Sequence, residues 1–311
     1  MLSTTSVYAP ICLGIVFIGI FGNVALITVT LITKQFRVNL CSILLALIAF
    51  CDLVLELSTV RNLILAICQV PVSKLSCFYF MIPADFCLCV QTFLMLSIAV
   101  DRLTAIVIPV WYKTVKPVVY FPVFCLPPVF FGVLIIVLGF AAKIEEDKIL
   151  QICNVPLSMG EPANCLWNRI SMGVTWITIV VYVAAGLALV YKVKSHKTGI
   201  PVDWEVMKTI MLIVLFYVTT CLFTQLTNFV HSIVSAGRMP KAGDYSMFLG
   251  LAAQWGYAGN FYIYVWRNRS YRESFKRLVK MLVTCGKHSM VVVQSYSNAR
   301  IRRTTIVRSR F

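Results

Sequence analysis

The side chains in this sequence that could carry chemistry are ionisable groups set inside apolar runs. Asp101 and Arg102 sit side by side in LSIAVDRLTAIVIPVWY, from Leu96 to Tyr112, with Pro109 shortly after them. Asp52 and Glu56 lie within LLALIAFCDLVLEL, four residues apart and so on one face of a helix. Asp85 follows Pro83, and Gln91 stands further along the same run. A charge in hydrocarbon costs on the order of a few kcal/mol or more, so each of these groups must be paired, face a polar interior or serve a function. The chemistry that suits them is charge pairing and switching. Bond-making chemistry finds no support, so an enzyme is not expected: there is no metal-ligand spacing, no phosphate-binding glycine loop and no GxSxG or HExxH motif. The three histidines, His196, His231 and His288, are scattered.

The elements that must position these groups are membrane helices. Hydrophobic residues make up 59% of the 311 and charged ones 13%, which overrides the ordinary expectation of soluble domains. Runs long enough to cross a bilayer, about twenty residues each, lie near Ala9–Ile32, Cys41–Cys68, Cys77–Ile108, Phe121–Ala142, Ile170–Tyr191, Val206–Val234 and Met247–Trp266. The reading is therefore an all-α integral membrane protein, a bundle of seven transmembrane helices. The formal net charge of +16 concentrates at Lys34, Arg37, Lys113, Lys116, Lys192, Lys194, Lys197 and Lys208 and along the tail from Arg267. Lysine and arginine collect on the cytoplasmic side, so the N-terminus is expected outside and the C-terminus inside. Charge divided among loops and a tail suits anionic membrane lipid better than nucleic acid. Residues 1–8 form a short uncharged head without the marks of a cleavable signal, leaving the first span as the targeting signal.

Polar residues punctuate the spans. Asn23 needs a partner inside the bundle, and Asp52 is the natural one. Glu56 and Arg61 mark a polar line toward the outer mouth or a simple surface pair. Asp85 is a counter-ion for a cationic ligand or an internal partner of Arg61 or Lys74. Pro83 and the Pro127-Pro128 pair predict kinks. Cys77 is expected to bridge to Cys153, with Cys165 as the rival, while the thiols within the spans serve packing. Asn228 and His231 of the sixth span are further pocket candidates, and Asp203 and Glu205 at its start are within reach of the Arg102 region. Asn260 and Tyr264 share a face of the seventh span. Beyond it Tyr271, Phe275, Leu278 and Leu282 fall at i, i+4, i+7 and i+11 among basic residues, predicting an amphipathic surface helix over 267–285. Cys285 at its end suits palmitoylation, and 286–311 reads as a disordered basic tail open to phosphorylation.

Gly22-Asn23, the AFCDL stretch at Asp52, Cys77, DRLTAIVIPVWY from Asp101, and GNFYIYVWRNRSYRESF from Gly259 together resemble the rhodopsin-like G-protein-coupled receptors. The chain looks most like the nematode serpentine chemoreceptors of the Srsx class, with Asp-Arg-Leu in place of Asp-Arg-Tyr. The resemblance implies a plasma-membrane chemoreceptor, in sensory-neuron cilia, that binds an extracellular small molecule or short peptide and activates a heterotrimeric G protein. Arg102 would be held by Asp101, and by Asp203 or Glu205, until activation. Tyr264 and Tyr182 would then close over it. Asn23, Asp52 and Asn260 would form a polar network. Val110, Lys113, Lys116, Lys192 and Lys194 would meet the G protein. A neuropeptide receptor of the same fold is the alternative. A channel or transporter is the reading from another class, and the internal repeats a transporter would show are not found. Departures from the family pattern also matter. Phe261 replaces the proline after Asn260, and the sixth span lacks both its proline and its Cys-Trp pair, which moves the expected hinge to Gly256 and Gly259. Gln91 stands where the family commonly has the serine of its sodium pocket, arguing against sodium at Asp52 and leaving no cofactor expected. Ala84 occupies the position of the amine receptors' aspartate, and Asp85 points about 100° away from it around the helix.

Overall fold

A backbone in hydrocarbon has to satisfy its hydrogen bonds within the segment, and long apolar runs do so as helices. The computed structural model describes residues 2–115, 117–141, 149–150, 153, 155–195, 212, 216, 219 and 242–283. Its long helices are α1 (Leu2–Ile32), α3 (Leu40–Ile67), α4 (Lys74–Val107), α6 (Pro117–Ala141), α8 (Glu161–Ser195) and α9 (Ala242–Arg267). Short helices α2 (Lys34–Arg37), α5 (Pro109–Thr114) and α7 (Val155–Ser158) lie in the connections, and α10 (Arg269–Val283) follows α9. Among the described residues five helices, α1, α3, α4, α6 and α8, are long and apolar enough to cross a membrane. The sixth expected span, 206–234, lies outside the described residues except for Leu212, Phe216 and Thr219, each of them helical. The tail from 284 on, with Cys285, lies outside them too.

α4 is the central helix, packed against α3, α6 and α8, while α1 packs against α3 and α9. The bundle turns large apolar side chains outward, among them Phe17, Phe21, Leu126, Phe130, Val180 and Leu187. A soluble surface would not tolerate such a coat; hydrocarbon requires it. α4 continues as helix through Pro83, and α6 through Pro122, Pro127 and Pro128.

Local signals explain the helix ends. At α4 the Ser73 hydroxyl accepts the Ser76 N–H at 3.2 Å, an N-cap bond. α3 closes with Gln69 at φ 54°. Val70 N donates to the Leu65 carbonyl at 3.0 Å and Gln69 N to that of Ala66 at 3.3 Å, the Schellman pattern, with glutamine where glycine is usual. α10 starts at Asn268, whose Oδ1 accepts from Ser270 N at 3.0 Å and Tyr271 N at 3.2 Å. Its apolar face engages the bundle as well as any membrane surface. Tyr271 is buried and stacks on Phe36 of α2 with ring centroids 4.0 Å apart, and Phe275 meets Phe261 of α9 at 5.0 Å.

At the Cys77 end of α4, strands β1 (Val72–Ser73) and β2 (Ile149–Leu150) pair antiparallel, Val72 opposite Leu150 and Ser73 opposite Ile149. The disulfide Cys77–Cys153 ties the connection after β2 to the head of α4. Cys165, the rival, is an exposed free thiol in α8. Alkylation of the unreduced protein is therefore expected to modify Cys165 and the exposed Cys68, and to reach Cys77 and Cys153 only after reduction. Mass spectrometry that found Cys77 modified before reduction would reject the pairing.

Candidate functional site

The polar centre of the bundle is built on α3. Asp52 is fully buried and is met by two amides: Gln91 Nε2 of α4 donates to Oδ1 at 2.6 Å, and Asn260 Nδ2 of α9 donates to Oδ2 at 2.9 Å. One turn along α3, Glu56 is equally buried and accepts from Asn23 Nδ2 of α1 at 3.1 Å. The same amide donates to the Tyr257 carbonyl of α9 at 3.3 Å. Gln254 Nε2 of α9 donates to Thr59 Oγ1 at 2.8 Å, extending the polar line another turn. Three helices, α1, α4 and α9, thus converge on one stripe of α3. Asn23 bonds Glu56, not Asp52, because its amide lies one turn further along the bundle than its sequence suggested. Each oxygen of the Asp52 carboxylate is thus met by one amide N–H donor.

Small residues make this convergence possible. A Cβ on Gly19 would collide with Glu56 Oε1, and one on Gly22 would stand 3.0 Å from Phe261 Cβ and 3.2 Å from its ring. α1 therefore approaches α3 and α9 through glycines, as small residues permit between membrane helices.

At the opposite end of α4 from Cys77 lies a second polar group. Arg102 Nε donates to Asp101 Oδ2 at 2.8 Å, and Nη2 forms an ion pair with the same oxygen. Adjacent helix positions do not face each other, so the long arginine side chain folds back to reach its neighbour. Tyr112 of α5 completes a clasp: its O–H donates to Asp101 Oδ1 at 3.0 Å, and its oxygen accepts from Arg102 Nη2 at 3.2 Å. Burial pushes the Tyr112 hydroxyl's pKa upward, which keeps it protonated and able to donate. Tyr182 of α8 and Tyr264 of α9 are buried near Arg102, and neither hydroxyl has a hydrogen-bond partner among the described residues. Val110 stands exposed on α5. Lys113 lies in α5, and Lys192 and Lys194 in the last turns of α8. Asp203, Glu205 and Lys116 fall outside the described residues.

The Cys77 half of the bundle departs from the sequence reading. Asp85 is fully buried and accepts from the Ser158 hydroxyl of α7, at 2.9 Å to Oδ2 and 3.2 Å to Oδ1. It pairs with neither Arg61 nor Lys74. Arg61 lays its guanidinium over the Phe80 ring, 3.7 Å from the centroid, an attraction a ring quadrupole supplies without an acid. Glu56 consequently belongs to the polar centre and not to a surface pair with Arg61. Ala84 is buried in the cluster formed by Leu55, Cys77, Met81 and Cys153. Asn228 and His231 lie outside the described residues. Tyr112 and Ser158 are the residues that sequence reasoning missed. The spacing from Asp101 to Tyr112 was on view in the motif, but nothing in the sequence links Ser158 to Asp85. Among the described residues no group of three or more His, Cys, Asp or Glu side chains could hold a metal ion.

Membrane-length helices, a disulfide at one end of the central helix, an Asp-Arg clasp at the other and a buried amide–carboxylate centre between them define a helical membrane bundle. Residues 16–279 match the family described as Serpentine type 7TM GPCR chemoreceptor Srsx, and the chain belongs to that family. It is accordingly a multi-pass membrane protein. Among curated proteins none matches it.

Gly19 and Gly14 provide a matched test of the polar centre. Gly19→Ala drives a methyl into the Glu56 carboxyl and is expected to cost about 1–3 kcal/mol of stability, as overpacking does. Gly14→Ala meets nothing within 4 Å and is expected to leave stability unchanged or slightly higher. Thermal unfolding of the detergent-solubilised variants reads the difference, and equal midpoints would contradict the close approach of α1 to Glu56.

Proposed function

We propose that this chain is a plasma-membrane chemoreceptor of sensory cilia that binds an extracellular small molecule or short peptide and activates a heterotrimeric G protein through the Asp101–Arg102 pair. The observation that carries the proposal is the clasp of Asp101, Arg102 and Tyr112. It gives the arginine one set of partners while the hydroxyls of Tyr182 and Tyr264, unpartnered among the described residues, lie close by as a second set. A buried charge with two alternative sets of partners is a bistable element, and a ligand that favours one arrangement shifts the population.

Signal passes along α4. Asp85 lies on the same helix as the clasp, toward the disulfide-tethered end, with the Ser158 hydroxyl as its hydrogen-bond partner. A buried carboxylate answered by a neutral hydroxyl suits the charged group of a cationic ligand, which would replace that hydroxyl. The Asp52 centre joins α3, α4 and α9 midway, so movement of α4 relative to α9 must rearrange it. On the inner side, release of Arg102 frees Tyr112 and with it α5, where exposed Val110 offers an apolar contact to the G protein. Lys113, Lys116, Lys192 and Lys194 supply the basic rim.

Arg102→Ala is expected to abolish ligand-driven signalling at unchanged surface expression. Tyr112→Phe removes both hydrogen bonds of that hydroxyl, each worth about 1 kcal/mol, from the resting state only, so it should raise ligand-independent signalling by about fivefold to thirtyfold. A cell-based assay with a promiscuous G protein measures both, and wild-type behaviour from both variants would rule out the switch. In the same assay Asp85→Asn should shift the response to cationic activators at least tenfold to higher concentration and leave neutral ones unaffected.

A further inference from the structure

Two hydrogen-bond donors in the first half of α8 have no acceptor among the described residues. Trp167 Nε1 and Ser171 Oγ are both buried and both unmet, and their i, i+4 spacing puts them on one face. The helix could have met the serine hydroxyl itself. Thr175 and Thr178 donate to the carbonyls four residues back, those of Ser171 and Val174, at 2.8 and 2.7 Å, as hydroxyls in membrane helices commonly do. Ser171 does not, and its hydroxyl stays available to another acceptor. This face adjoins the Asp85 carboxylate. Trp167 packs in one cluster with Phe131 and Ile135 of α6, Met159, and Cys89 of α4, and Cys89 stands one turn, ~5 Å, further into the bundle than Asp85. Along the inward course of these helices the order is Asp85, then Trp167, then Ser171.

The chain itself fills the space between these groups. Ser158 and Met159 follow closely on the tethered Cys153 and are buried, Ser158 with its hydroxyl on Asp85 and Met159 with its side chain in the Trp167 cluster. Both contacts leave the walls incompletely answered. The Ser158 hydroxyl has one proton, and the Val155 carbonyl at 2.8 Å competes for it with Asp85. Met159 gives the indole an apolar neighbour and leaves its N–H unmet. The segment thus stands where a ligand would, and it lacks the two groups that the surrounding residues lack a partner for. Those are a positive charge at Asp85 and an acceptor at Trp167 and Ser171. A site with buried donors discriminates strongly against a ligand that cannot use them.

We propose that Trp167 and Ser171 are specificity-determining residues that select a cation bearing a carbonyl or ester oxygen about one helical turn from its charge, and that this ligand displaces Ser158 and Met159. The assignment rests on Asp85 receiving the cation. The test uses the full-length chain in cells with a promiscuous G protein and two matched pairs of probes. These are acetylcholine with pentyltrimethylammonium, and N-acetylethylenediamine with pentylamine, the second of each pair having hydrocarbon in place of the acceptor. In at least one pair the acceptor-bearing member is expected to act at about tenfold lower concentration than its partner, as two hydrogen bonds would give. Trp167→Phe, which keeps a ring and removes the N–H, should weaken only that member and close the gap to about threefold or less. Should this variant fail to reach the surface, Ser171→Ala must narrow the same gap. An unchanged gap, or equal weakening of both members, makes the indole a packing group and overturns the proposal. Cations that act through Asp85, as Asp85→Asn would show, but with no gap in the wild type overturn the selectivity alone. Silence toward all four probes, or responses that Asp85→Asn leaves unchanged, overturn the Asp85 assignment as well.

Discussion

A carboxyl group carried into an apolar bundle has to be met by donors, and in this protein no lysine or arginine meets the central pair among the described residues. Asp52 and Glu56 are answered by the amides of Gln91, Asn260 and Asn23, which come from α4, α9 and α1. Each amide must arrive at the right height and from the right side of α3, so these bonds specify how four helices sit together. Leaving one of them unmade would strand a buried polar group at a cost of about 1–3 kcal/mol. Apolar contacts, which are non-directional, tolerate a range of rotations that this network does not.

α4 connects this centre to everything else. It carries the disulfide at one end and Asp85 below it, donates Gln91 to the centre and finishes in the clasp around Arg102. Two of its polar sites are paired with short helices in the connections, Ser158 of α7 and Tyr112 of α5. The loops are thereby coupled to the central helix through single side chains, and disturbing either loop changes the hydrogen bonding of a buried acid. A rigid rod with a labile partner at each end is a physical arrangement suited to passing a binding event from one side of a membrane to the other.

The departures from the family pattern acquire physical content in this frame. Gln91 in place of serine puts an amide on Asp52, where donors then stand. Phe261 in place of proline after Asn260 packs against Gly22 and Phe275, joining α1, α9 and α10 by ring contacts at a point where proline would have removed a backbone donor. Gly259 admits the Phe216 ring against α9, so its small size is already used for close packing of the sixth span.

Much of this was legible in the sequence. Apolar runs announced a helical membrane bundle, the motifs around Asp52, Asp101 and Asn260 announced the family, and Cys153 was the expected partner of Cys77. The first two are local: a helix satisfies its own backbone, and a motif is a spacing along one chain. What only the tertiary structure decided was which polar group meets which. Asn23 reaches Glu56 and not Asp52, Arg61 turns to Phe80 and not to an acid, Asp85 takes Ser158, and Tyr112 closes on Asp101. Each of these depends on the axial offset and rotation of one helix against another. Those are set by small-residue contacts such as Gly19 against Glu56, which spacing along the chain cannot specify.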